Sequence, residues 1–266
     1  MSPEHLRGYY SRVQDTSYSK VRARLRRSSL LDFIWVASLT SCAPFTQSTA
    51  PVIESGSGDV QVVVESGPAE GSERFAIVPA SSRITVLTFR SGPMARLGHN
   101  HVITSSALTG SVWVAPSLEE TLARIVLPVE SLTVADAAAR AEEGEELAAP
   151  VPEKAAVAPR NNMLGEDLLN AGSHAFVRAT CGALDFESDP STALCDVSIA
   201  GVTVALRMPI SFQQDDNQLT VRGEATITHE QLGLTPFSAA GGAVRVADGM
   251  TIRYEINAQR LSRARD

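Results

Sequence analysis

The chain has 266 residues, 44% hydrophobic and 20% charged, with a formal net charge of -7. That is ordinary globular composition, long enough for one large β domain or two smaller ones and too apolar for a wholly disordered chain. Residues 1–41 carry seven of the 23 basic residues against Glu4, Asp15 and Asp32, so the remainder holds 16 basic against 27 acidic residues and lacks the basic footprint of a nucleic-acid binder.

The first predicted element is a leader. A basic run ending at Arg26 and Arg27 precedes the short apolar stretch Leu30 to Leu39, the layout of a secretory signal and too short to span a bilayer. Leu39-Thr40-Ser41-Cys42 then resembles the bacterial lipobox, which assigns residues 1–41 to a signal peptide and makes an acylated Cys42 the first mature residue. A buried apolar segment with an incidental cysteine is the alternative reading of the same residues. Ala43 after the cysteine points to the periplasmic side of the outer membrane, and residues 42–72, rich in Gly, Ser, Pro and Glu, read as a flexible tether.

From residue 73 to 262 the chain reads as a series of short segments rich in Val, Ile, Thr and aromatics, separated by Gly, Pro and Asp turn signals. Predicted strands lie at Phe75 to Val78, Arg83 to Phe89, Leu108 to Val114, Ala123 to Val129, Ala175 to Thr180, Asp196 to Ile210 with Ala200-Gly201 punctuating it, Leu219 to Thr228, and a last one after Asp248-Gly249. In that last strand Met250, Ile252, Tyr254 and Ile256 alternate with Thr251, Arg253, Glu255 and Asn257, so one face is apolar and the other wet. About eight strands is the number at which a closed antiparallel barrel has an interior wide enough for side chains or one small ligand. Residues 135–162 shift to Ala, Glu and Pro and read as a mobile insertion, its first half compatible with a helix and its Pro-rich second half not. Leu164, Leu168 and Leu169 at helical spacing predict one short helix over Met163 to Leu169, on or across the barrel mouth. Cys181 and Cys195 flank a turn region and are expected to form a disulfide, which an exported protein can make, with two reactive thiols as the alternative reading.

Several stretches, in order, resemble the YceI-like family of lipocalin-like barrels. They are Arg74 to Phe89; Gly98-His99-Asn100-His101-Val102 running into Leu108-Thr109-Gly110-Ser111-Val112; Met163-Leu164 through Phe176; Asp196 to Ile210; and Leu232 to Ser238 with Gly241-Gly242 and the final strand. The resemblance spans nearly all of Arg74 to Leu261 and implies an all-β, closed, about eight-stranded barrel with an elongated apolar cavity for a polyisoprenoid, quinone-like or other long-chain amphiphile. Two departures stand out: the Ala/Glu/Pro insertion replaces the family's acidic helix-and-loop segment, and His174 stands where the family often has Pro.

His99 and His101 are two apart, so on an extended strand they point the same way and can share a head group or, with a third ligand from elsewhere, a metal. Arg96 just before them offers an always-charged guanidinium to a phosphate or quinone oxygen. Trp113, Leu164, Leu168, Phe176 and Phe237 are the candidate apolar contacts, with ordinary core as the alternative. No nucleophile elbow, phosphate loop, Cys-x-x-Cys pair or dinucleotide fingerprint occurs, so the reading is a lipid-binding protein and not an enzyme, without a cofactor beyond a non-covalent isoprenoid or quinone-like ligand. Two rivals stay open: a metal- or haem-linked periplasmic protein using His99 and His101, and a surface interaction protein with a filled barrel whose acidic Glu142 to Glu146 meets a basic partner.

Overall fold

A computed structural model describes residues 67–148 and 151–261; the signal-peptide and Cys42 assignments and most of the tether lie outside the described residues. The architecture is one antiparallel sheet with three short helices. In chain order the strands are β1 (Glu73–Ile77), β2 (Arg83–Ser91), β3 (His101–Ser105), β4 (Thr109–Val114), β5 (Leu122–Pro128), β6 (Thr133–Val134), β7 (Phe176–Asp185), β8 (Thr192–Ile199), β9 (Val202–Pro209), β10 (Ser211–Gln214), β11 (Gln218–Thr228), β12 (Ser238–Ala239) and β13 (Val244–Arg260). The helices are α1 (Ala137–Ala141), α2 (Glu145–Ala148) and α3 (Glu153–Leu164).

β13 is the spine of the sheet. One edge pairs with β11 along eleven residues, and the other pairs first with β2 and then with β1. From there the sheet runs β13-β1-β4-β5-β7-β8-β9 in one direction and β13-β2-β3-β6 in the other. The expected closed ladder is therefore not what the hydrogen bonds describe, because the path ends at β6 and at β9. At β6 the helix α3 lies alongside, and Arg160 donates to the carbonyls of Leu132 (3.2 Å) and Glu130 (2.7 Å). At β9 the chain itself bridges the seam: after Ile210 it continues as β10, which pairs with β11. Pro209, which lacks an N–H, sits at that joint, and its carbonyl accepts from the Tyr254 hydroxyl. Gly223 is required there because a Cβ would lie 2.1 Å from the Pro209 oxygen.

Among the described residues, thirteen strands replace the expected eight or so. The Asp196 to Ile210 segment is two strands, β8 and β9, joined at Ala200-Gly201, where both residues have positive φ. β3 was missed because its entry, Gly98-His99-Asn100, reads as polar loop. The insertion is also corrected. Its Pro-rich half forms α3, the longest helix described, with Pro152 at the N-cap and Pro159 inside. Tertiary packing overrides propensity here, since Met163 is buried in the main core and Pro159 faces the interior. The helix expected over Met163 to Leu169 ends at Leu164, and residues 165–169 form turns.

The insertion's first half is docked on the sheet. Ala139 and Leu147 bury against Leu87 and Val102 on the outer face of β2 and β3, and Arg83–Glu142 and Arg253–Glu143 pair at its edge. Cys181 and Cys195 are bonded as expected, as directly opposite residues of β7 and β8. Closing a loop of about fifteen residues contributes roughly 3 kcal/mol in the chain-entropy model.

Candidate functional site

The sheet surrounds a cavity of about 530 Å³, inside the range of small-molecule sites. Strand alternation explains its wall. Ile84, Val86, Thr88 and Arg90 of β2 face in, as do Ala123, Ile125 and Leu127 of β5, Val177, Ala179 and Cys181 of β7, Ala193, Cys195, Val197 and Ile199 of β8, and Met250, Ile252, Tyr254 and Ile256 of β13. On β2 the outward Thr85 and Leu87 are buried while the inward Ile84 and Val86 are only half-buried. The inward apolar side chains of β2 pack against their wall neighbours and leave part of their surface facing open space.

The two ends differ. Towards the carboxy-terminal end of β13, Phe75, Leu219 and Ala258 are almost fully buried, pack together in the main core and do not line the cavity. At the other end the wall is formed by exposed residues, Arg90, Leu97, His99, Phe237 and Arg245, so this end is the mouth. Among the described residues, no Asp, Glu or Lys lines the cavity.

His101 sits just inside the mouth, and its buried Nδ1 has no hydrogen-bond partner. Burial, then His99 and Arg140, hold its pKa below the ordinary histidine value of 6.5. The neutral ring is therefore the folded form. An unfolded histidine takes up a proton below about pH 6.5, so the unfolded state gains protons that the folded one resists, and stability falls as pH drops through that value. Thermal melts of the full chain should show a loss of melting temperature between pH 7.5 and 5.5 that His101→Gln makes shallower. An unchanged slope in that variant would remove the buried ring from the pH response.

His229 also lines the cavity and is 4% exposed. Its Nδ1 lies 2.7 Å from the Asp248 carbonyl, which accepts, so Nδ1 carries a proton. Tyr254 is pushed up to about 12 by burial and stays protonated as the donor to Pro209.

Of the sequence-predicted site residues, His99, His101, Leu168 and Phe237 lie in the cavity wall. Arg96, Leu164, Trp113 and Phe176 do not. Arg96 is exposed on a 3-10 turn, and half-buried Leu164 packs against the main core at the end of α3. Trp113 and Phe176 face the outside because their neighbours Val112 and Val177 take the inward positions. Arg74 and Arg124 stack on Trp113 at 5.5 and 5.7 Å, and Arg178 on Phe176 at 4.9 Å. The cross-strand alternation that turns these aromatics outward is the same signal that would have found Arg90, which continues the inward series of β2. Among the described residues, no group of three His, Cys, Asp or Glu side chains is placed to hold a metal ion.

No protein-family model matches this chain, and no curated protein matches it. Solved structures do resemble it. BcnA of Burkholderia cenocepacia is 13% identical, with 68% of this chain and 99% of that one covered and a TM-score of 0.48. A polyisoprenoid binding domain from Saccharophagus degradans, implicated in plant cell wall breakdown, is 10% identical over 70% and 98%, with a TM-score of 0.48. The YceI protein of Campylobacter jejuni is 10% identical over 60% and 85%, with a TM-score of 0.42.

Proposed function

We propose that this chain is an exported, non-enzymatic YceI-like protein that holds one long-chain amphiphile, polyisoprenoid or quinone-like, inside a barrel-like wall. One observation carries the reading: half-buried aliphatic side chains from strands all round the sheet converge on open space within the fold. Each methylene that leaves water for that space contributes about 0.8 kcal/mol, so a long tail binds without needing polar contacts along its length. A cavity of about 530 Å³ counts against a surface interaction protein with a filled interior.

Export fits the Cys181–Cys195 disulfide, which persists in oxidising compartments. In this reading residues 1–41 are removed, Cys42 is acylated, and the cavity is displayed at the periplasmic side of the outer membrane. The test is to express the full chain with its leader in a bacterial host and analyse the purified protein by intact-mass and lipid mass spectrometry. The expected result is a chain beginning at acylated Cys42 with about one amphiphile per molecule. A protein that carries no amphiphile and takes up no added long-chain probe sinks the lipid-holding role. A protein with lipid in its cavity but an unmodified Cys42 sinks only the anchor.

A further inference from the structure

We infer that the amphiphile held in this cavity is anionic: a single long chain ending in a carboxylate or phosphate, whose head group rests at the mouth against Arg90, His99 and His101. This inference rests on the lipid-holding reading above and adds the chemistry of the head.

The three residues converge through sheet register. Thr88 of β2 is the direct partner of His101 of β3, and in an antiparallel pair the next same-face positions outward are Arg90 and His99. The two segments do remain together beyond the ladder: the Arg90 backbone N–H donates to Asn100 Oδ1 at 3.0 Å, and the Arg90 guanidinium donates to the Gly98 carbonyl at 3.1 Å. All four side chains, Thr88, Arg90, His99 and His101, face the cavity. This corner of the mouth thus carries the Arg90 guanidinium, two imidazoles and a hydroxyl.

The turn between the histidines is fixed from behind. Asn100 is buried; its amide donates to Glu146 of α2 at 3.2 Å, and its carbonyl accepts from Arg140 of α1 at 2.9 Å. Glu146 does not line the cavity. The docked insertion therefore braces the mouth, and its acidic side chains stay outside the cavity wall.

Two features select an anion over a neutral head. First, no carboxylate among the described residues lines the cavity, although the chain as a whole carries a net charge of -7. A positively charged mouth on an acidic protein favours a negative group entering from water. Second, the His101 Nδ1 is buried at the cavity wall with nothing to bond to. Such an orphan is costly unless a ligand meets it, and a ring N–H donates more strongly to an anionic oxygen than to a neutral one. Arg245 also lines the rim, but its strand partner is Ser91, whereas Arg90 is the cation in register with His101 and His99. Arg90 is the residue that holds the anion.

The test compares probes with the same tail. Displacement of a fluorescent long-chain probe from the full protein gives Kd values for palmitate, hexadecyl phosphate and hexadecanol, in the wild type and in Arg90→Gln. At least one anion should bind about tenfold to a hundredfold more tightly than the alcohol, the span of a charge-assisted hydrogen bond. Arg90→Gln should bring that ratio to within about twofold while leaving hexadecanol unchanged, and the tighter anion identifies the head as carboxylate or phosphate. Equal binding of alcohol and anions in the wild type overturns the head-group assignment and leaves the cavity reading standing. So does a preference that survives Arg90→Gln, or an equal loss for all three probes. If none of the three displaces the probe and the probe itself does not bind, the lipid-holding reading falls with it.

Discussion

Ala179→Phe is expected to weaken binding of any long-chain ligand by at least about a hundredfold, equivalent to roughly 2.7 kcal/mol, while the protein still folds. Ala179 lies midway along β7 between its partners Ile125 of β5 and Val197 of β8, and all three line the cavity. A benzyl group there does not enter a packed core, where added volume costs about 1–3 kcal/mol through strain. It projects into space that the wall leaves open, so it gains buried apolar surface and removes the volume a tail would occupy. The control is Thr180→Phe, one residue further along the same strand and on the opposite face. Isothermal titration or probe displacement should show binding lost in Ala179→Phe and retained in Thr180→Phe, with similar melting temperatures. Full affinity in Ala179→Phe would mean that ligands bind elsewhere, and the outer face would become the place to look.

How much of this was legible beforehand varies by element. The alternation of β13 was plain, because Met250, Ile252, Tyr254 and Ile256 keep an unbroken period of two against charged and polar neighbours. The same rule, applied to Ile84, Val86 and Thr88, leads directly to Arg90, whereas Arg96 lies in the adjacent 3-10 turn, where alternation has no meaning. Trp113 and Phe176 are the larger side chains, but their inward neighbours Val112 and Val177 decide the face.

The helical insertion was the hardest part. Ala139 and Leu147 are its buried anchors, and two apolar residues eight apart give almost no periodic signal in a run rich in Ala and Glu. Pro159 within α3 contradicts local propensity outright, and only contacts distant in sequence, such as Arg160 with Glu130 and Leu132, hold the segment. Closure was also beyond reach from sequence. Whether the last gap in a wall is filled by a ladder, a helix or a chain crossing at Pro209 depends on register that no single segment encodes.

Phe75→Ala is expected to destabilise the protein by about 3–5 kcal/mol, the cost of a large aromatic truncated in a core that only partly collapses. Phe75 is 0% exposed and stands at the closed end of the cavity, among Ile77, Leu219, Ile256 and Ala258. Two effects add there. The ring's volume is lost where Leu219 and Ala258 are each fixed in the β11–β13 ladder and cannot move in to fill it. Arg260, whose guanidinium carbon lies 5.3 Å from the Phe75 ring, loses that ring while its Nε is already buried without a partner. Urea unfolding should give a lower midpoint with an unchanged slope, because the surface exposed on unfolding is nearly the same. The void would also extend the cavity at its floor, so a longer chain should gain affinity relative to palmitate in the variant. A drop under about 1 kcal/mol, with no change in chain-length preference, would mean that the closed end repacks freely and that Phe75 does not set the depth of the cavity.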